Sequence, residues 1–372
     1  MDRTFIVMAI EHYNPLGIVR SLGERGIRPV LIALPGRAPV ASASRYVSRV
    51  HRAAGMEEAY GVLMDRYGDG KGEKPVLLCC DDRTMGYLDA RYGELKDRFV
   101  LFNAGEPGRI TKYMDKMEIL ELARRHGLKV LDTAVARRGE VPAGLRFPVI
   151  TKSISPNVGG WKSDVHICRS VEELEEAYRS IQSPDVVVQR YIEKKNEYCL
   201  DGFSVDGGRQ VFHAIASSYN YVIPGYYSPY MTVSRPLERF KGPLEAMMAE
   251  IGFEGIYSAE FLVDEEGGYW FSEINFRNST WSYASSRAGM PLPLLWARAM
   301  ERGGVDPSEY RDIREGFTAM VEPVDYAKRV VGGGLSPADW LMDFKEADCG
   351  FYYSKEDPEP FREAVRNWGR LG

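Results

Sequence analysis

The sequence predicts an α/β fold with three parts: a doubly wound parallel domain, a central lid subdomain and a C-terminal antiparallel sheet. Two observations carry that expectation. Residues 1–105 alternate short apolar runs with helical stretches, the pattern of a parallel sheet covered on both faces. Further on, "GIYSAEFLVD", "EEGG" and "YWFSEIN" read as two alternating strands joined by a turn.

In chain order, "TFIVMAI" is an apolar strand and "NPLGIVRSLGERG" a helix. "RPVLIAL", "KPVLLCC" and "FVLF" repeat the strand signal, with helices expected over "GMEEAYGVLMDRYG" and "RTMGYLDARYGELKDR". No G-x-G-x-x-G follows the first strand, so a nicotinamide fingerprint is absent. "NAGEPGRI" (103–110) has the glycine and proline content of a linker, which ends the first domain near residue 105.

The block 106–185 opens with a helix. Met117, Leu120 and Ala123, flanked by Ile119 and Leu122, form an apolar stripe, and Gly127 suits its C-terminal end. Lys116 falls in the first turn, where the helix dipole disfavours a cation. It is either simply exposed or shares an anion such as phosphate with the helix end. In "FPVITKSISPNVGGWKSDVHI", Lys152 closes a strand. Gly159 and Gly160 then lie in a loop with Ser153, Ser155, Lys162 and Ser163. That loop is either a plain turn or a backbone cradle for a polyanion, and it lacks the P-loop consensus.

Residues 186–304 begin with a strand ending at Gln189 and another starting at Glu197. Gln189 and the main-chain atoms of Tyr191 and Ile192 either finish a sheet edge or contact a base, with Glu197 in reach of ribose hydroxyls. In the later hairpin, a four-residue loop sets Asp264 opposite Tyr269, Leu262 opposite Phe271, Glu260 opposite Glu273 and Ser258 opposite Asn275. Facing carboxylates repel. Either this face is simply solvated, or a cation between them relieves the repulsion. Glu260, Glu273 and Asn275 offer only hard oxygen ligands, which suits Mg²⁺ and not zinc. Residues 305–372 read as a closing element: a glycine-rich turn, a helix capped at "SPADW", a strand and a final helix.

Composition narrows the functional classes. Across 372 residues, 48 Lys and Arg stand against 53 Asp and Glu, a net charge of -5 that argues against a nucleic-acid-binding face. No apolar run approaches the ~18 residues of a membrane span. "TFIVMAI" reads as a core strand, without the basic region and cleavage site of a signal peptide. Five cysteines with no C-x-x-C pair suggest reduced, structural thiols and a cytoplasmic setting.

Taken in order, these pieces resemble the ATP-grasp superfamily of carboxylate–amine ligases. The resemblance rests on a leading α/β domain, Lys116, Lys152, the Gly159-Gly160 loop, Gln189 to Ile192, Glu197, and the ending Glu260…Glu273-x-Asn275-x-Arg277. That ending is similar to the carbamoyl-phosphate-synthase-like branch. "GGWKSDVHICRSVEELEEA" and "SPADWLMDF…YYSKEDPEPF" look like the subgroup of D-aspartate ligases and polysaccharide-cluster ligases. Two departures stand out: Gln189 replaces a glutamate common in relatives, and "NFRNSTW" replaces a common Asn-Pro-Arg.

The resemblance implies four parts: a domain over 1–105, a central domain with the phosphate loop over 106–185, a nucleotide- and Mg-binding domain over 186–304, and a closing element over 305–372. It implies ATP contacts from Lys116, Lys152, Ser153, Gly159, Gly160, Lys162, Gln189, Arg190, Tyr191, Ile192 and Glu197. One or two Mg²⁺ ions (Mn²⁺ would suit the same ligands) would be held by Glu260, Glu273 and Asn275. Arg277 and Lys152 would act in catalysis, and Arg235, Arg277, Asn278 and Ser279 would meet substrate. The implied reaction activates a carboxylate, from a small molecule or a cell-envelope polysaccharide, as an acyl phosphate. An amine, either an amino acid or ammonia, is then coupled to it. A homodimer is compatible with this reading. Rival readings are a ligase using ammonia or bicarbonate and an ATP-binding sensor without turnover.

Overall fold

Strands of the computed structural model, which describes residues 3–154, 164–223 and 227–368, form three sheets. In the first, Phe5–Ile10, Val30–Leu34, Arg49–Arg52, Val76–Leu78 and Val100–Leu101 all run parallel. The order is third, second, first, fourth, fifth. The winding direction therefore reverses between the first and fourth strands. In such sheets, the crevice beyond the strand ends at that reversal is where ligands bind.

The first strand is buried because both of its faces carry apolar side chains, Phe5 to Ala9, under helices. Arg49–Arg52 is absent from the sequence expectation. It is an edge strand whose side chains are all partly or fully exposed, so it lacks an apolar signature. The strand Val76–Leu78 stops short of Cys79 and Cys80, which are nonetheless buried. All five cysteines are free and buried. The stretch expected as a linker is pinned to the body: Asn103 and Glu254 exchange main-chain hydrogen bonds of 3.0 and 2.8 Å, and a helix, Arg109–Tyr113, begins inside it.

A four-stranded antiparallel sheet follows, ordered Thr133–Arg137, Asp185–Arg190, Val149–Lys152, Ile167–Cys168. It has its own small core, centred on Val149, Leu174, Val186 and Val188. The third sheet has seven strands, in the order Tyr269–Asn275, Gly255–Val263, Asn196–Val205, Gln210–Tyr219, Tyr230–Ser234, Phe317–Met320, Cys349–Gly350. Its last two strands come from the stretch expected only to close over the core. One apolar core joins this sheet to the N-terminal sheet, with Phe102 packed edge-on against Trp296 at 4.7 Å. No helix among the described residues is long and apolar enough to cross a membrane.

The hairpin differs from expectation in its outer half. Val263 faces Tyr269, Leu262 faces Trp270 and Phe261 faces Phe271, one residue out of the expected register. Asp264 explains the shift. Its side chain accepts from the Gly268 N–H at 2.6 Å, the Glu266 N–H at 3.1 Å and the Trp270 indole N–H at 2.7 Å, which draws Asp264 itself into the turn. A bulge at Ser272 then absorbs the extra residue, and Glu260 faces Glu273 while Ser258 faces Asn275. The bulge also sends Phe271 into the aromatic core against Phe261 and leaves Glu273 on the opposite face.

Candidate active site

Three adjoining chambers line the junction of the sheets. The first, about 470 Å³, lies between the four-stranded sheet and the hairpin. Gln189, Arg190, Tyr191, Ile192, Lys194, Glu197, Leu262 and Glu260 are among its walls. The second, about 260 Å³, is lined by Lys116, Lys152, Ser153, Glu273, Asn275, Arg277 and Asp82. Lys116, Lys152 and Glu273 belong to both. The third, about 440 Å³, opens at the strand ends of the parallel sheet between Glu11, His12, Arg37, Cys80, Asp81 and Asp82, and shares Asp82 and Arg277 with the second. A continuous cleft results.

Each charged group in the cleft is placed by its element. Asp115 caps the helix Lys116–Arg125, accepting from the N–H groups of Met117 at 2.8 Å and Glu118 at 3.2 Å. The capped first turn directs Lys116 at Glu273, whose Oε2 lies 3.1 Å from Nζ. Lys116 holds the Glu273 carboxyl below the ordinary carboxylate range. Burial, and then the facing Glu273, push the Glu260 carboxyl well above that range. Glu260 accepts from the Asn275 amide at 2.7 Å.

Lys152, at the end of its strand, donates to the Gln189 carbonyl oxygen at 3.0 Å. Burial, and then the neighbouring charge of Lys116, push Lys152 down to about 8. Arg277 binds Asp82 through two donors, at 2.6 and 3.1 Å, and also donates to the Asn275 oxygen at 2.8 Å. Burial works against the Arg277 charge, but Asp82, together with Cys80 and Glu260, raises the group above its usual value.

No family model matches this chain, and no curated protein matches it. Solved structures do. The chain is similar in fold to an L-amino acid ligase from Bacillus licheniformis, with a TM-score of 0.62 at 16% identity over 86% of this chain and 79% of that one. It is similar to an N5-carboxyaminoimidazole synthetase from Staphylococcus aureus, at 0.67 and 14% over 90% and 86%. A third is the biotin carboxylase domain dimer of the Hydrogenobacter thermophilus 2-oxoglutarate carboxylase, solved with MgADP, ADP and bicarbonate, at 0.61 and 19% over 82% and 72%. The chain has the ATP-grasp fold.

Within that ATP-grasp fold, Lys116, Lys152, Ser153, Glu260, Glu273, Asn275 and Arg277 are brought together around the first two chambers. Gly159, Gly160 and Lys162 lie outside the described residues. The other expected nucleotide contacts line the first chamber while making bonds within the protein. Gln189 is 6% exposed and spends its side chain internally, accepting from Lys152 and donating to the Thr133 hydroxyl at 2.9 Å. It orients Lys152 from the wall of the first chamber. The Tyr191 N–H is taken by the Pro148 carbonyl at 2.8 Å. Glu197 accepts from Lys194 at 2.9 Å. Arg190 stands over the Trp270 ring, 5.9 Å from its centre.

The expected substrate contacts change most. Arg235 is exposed, pairs with Asp312 and lines none of the three chambers. Asn278 and Ser279 are buried beneath the cleft. The Asn278 carbonyl accepts from Asn14 at 3.0 Å, and the Ser279 hydroxyl donates to buried Asp201, whose charge needs donors at that depth. Of the four residues expected to meet substrate, Arg277 alone reaches the chambers. The groups that sequence reasoning missed are His12, Arg37 and Asp82. "EHYN" and "CCDDRT" directly follow the first and fourth parallel strands, the two that flank the reversal point, and that position was the available signal for His12 and Asp82.

Proposed function

We propose that the protein is an ATP-dependent ligase that activates a carboxylate as an acyl phosphate and couples it to an amine. The observation that carries this reading is the facing pair Glu260 and Glu273, set in one cleft with Lys116, Lys152 and Arg277. The donor set fits Mg²⁺, since two opposed carboxylates and the Asn275 carbonyl offer hard oxygens only. Glu260, Glu273 and Asn275 would hold it, and bound there it would neutralise phosphate charge.

The chamber beside Gln189 to Ile192 takes the nucleotide, with its phosphates directed toward Lys116 and Lys152. Lys152 is kept in place by Gln189 and supplies positive charge to the phosphate oxygens. The substrate carboxylate attacks the γ-phosphorus, the bond to ADP breaks, and an acyl phosphate forms. Arg277, fixed by Asp82 and Asn275, donates to oxygens where charge builds during transfer. The amine then displaces phosphate and loses a proton, leaving the amide. The chain needs no nucleophile of its own.

The test is ADP release with hydroxylamine as the amine and a panel of carboxylates, reading the hydroxamate formed. Arg277→Ala is expected to lower kcat about a hundredfold or more while ADP still binds. Tight ADP binding with no hydroxamate from any carboxylate would favour the sensor reading instead.

A further inference from the structure

The third chamber adjoins the reacting groups at Asp82 and Arg277, and its charges are unevenly disposed. Its carboxylates are engaged by the protein. Glu11 accepts from the N–H groups of Ala41 at 3.0 Å and Ser42 at 3.2 Å. Asp81 accepts from the Ile10 N–H at 3.2 Å, the Thr84 N–H at 2.7 Å and the Thr84 hydroxyl at 2.9 Å. Asp82 is bound by Arg277. Arg37 is exposed at the mouth of the chamber.

His12 registers the resulting field. Burial, and then the charges of Arg37 and Arg277, push its ring down to about 4, so at neutral pH it is an uncharged hydrogen-bonding group lining the same chamber as Arg37 and Arg277. The loop bearing Arg37 is held in position. A Cβ on Gly36 would come within 1.9 Å of the Glu11 carbonyl oxygen, so the loop lies directly against the end of the first strand.

Resting on the ligase reading, we propose that the carboxylate substrate carries a second anionic group, a carboxylate or a phosphate. Arg37 and His12 hold that group while the reacting carboxylate lies at Arg277. Arg277 faces both this chamber and the phosphate chamber, so one molecule spanning from Arg37 presents its other end where phosphoryl transfer occurs. A monoanion would engage one end only.

Calorimetric titration of the protein loaded with ADP and Mg²⁺ tests this without turnover. Succinate and butyrate have equal carbon counts and differ in charge, and 3-phosphopropionate replaces the second carboxylate by phosphate. One or both dianions are expected to bind about tenfold or more tightly than butyrate, the scale of one charge-assisted hydrogen bond. Whichever dianion leads identifies the second group. Arg37→Gln and His12→Ala should erase that margin while ADP affinity is kept as the control for folding. Equal binding of butyrate, no binding by either dianion, or a margin that survives both substitutions overturns the proposal. Failure of the ligase reading is seen separately: a dianion margin without any hydroxamate formation removes the ligase and leaves the anion site.

Discussion

At the residue scale, Lys152 makes the most specific prediction. Its pKa is depressed to about 8, so the side chain is charged below that pH and neutral above it. Anionic phosphates bind the charged form, so ADP affinity should fall as pH rises through about 8. Lys152→Arg, always charged, should bind ADP with little change between pH 7 and 9. An equal pH dependence in both proteins would remove Lys152 from the nucleotide site. Asp82 makes the second. Asp82→Asn keeps the shape but weakens the hold on Arg277, and kcat should drop about tenfold or more with ADP affinity intact, read by hydroxamate formation. Lys152, Glu273 and Arg277 were legible because charge on or just beyond a strand is conspicuous. The Arg277–Asp82 pair was not, since 195 positions separate the two and no local pattern links them. The internal bonding of Gln189 was hidden for a related reason: its partners, Lys152 and Thr133, lie on the two neighbouring strands of the sheet.

At the element scale, the hairpin shows what pattern can and cannot specify. Alternation identified both strands, and the pairing of Glu260 with Glu273 was legible. The route to that pairing was not, because the reach of Asp264 into the turn and the bulge at Ser272 offset each other. Deleting Ser272 removes the offset. Phe271 and Glu273 then become neighbours, which the two-residue period places on opposite faces, still paired with Phe261 and Glu260. ADP binding should therefore survive the deletion with little change in thermal unfolding; a severe loss of stability together with lost ADP binding would contradict the reading of Ser272 as the bulged residue. The helix carrying Lys116 depends on its cap. Asp115→Ala should cost about 1 kcal/mol in denaturant unfolding and weaken ADP binding as the first turn loosens. The edge strand Arg49–Arg52 was missed because pattern reads burial, and an edge strand has little.

At the scale of the whole molecule, the C-terminal stretch is tied to the opening helix by a buried ion pair. Arg20, fully buried, donates to Asp357 at 3.0 Å and to the carbonyl oxygens of Phe351, Tyr352 and Asp357 at 2.9 Å each. Removing one partner strands a buried charge. Asp357→Ala should therefore lose about 3–5 kcal/mol in denaturant unfolding. The alternation of strand and helix over residues 1–105 made the parallel sheet legible, since each layer repeats the same burial problem. The joining of residues 317–320 and 349–350 to the large sheet was not legible, because those strands are short and pair with segments far away in sequence. The cleft exists only where all three sheets meet, so its chemistry is a property of the assembled chain. Glu260 and Glu273, facing each other across the hairpin, are proposed to hold Mg²⁺ with a nucleotide. The measurement is ADP affinity with and without Mg²⁺ in the native protein and in Glu273→Gln. The account predicts that Mg²⁺ tightens ADP binding in the native protein, and that Glu273→Gln still binds ADP but loses that gain. An undiminished Mg²⁺ gain in Glu273→Gln would contradict it.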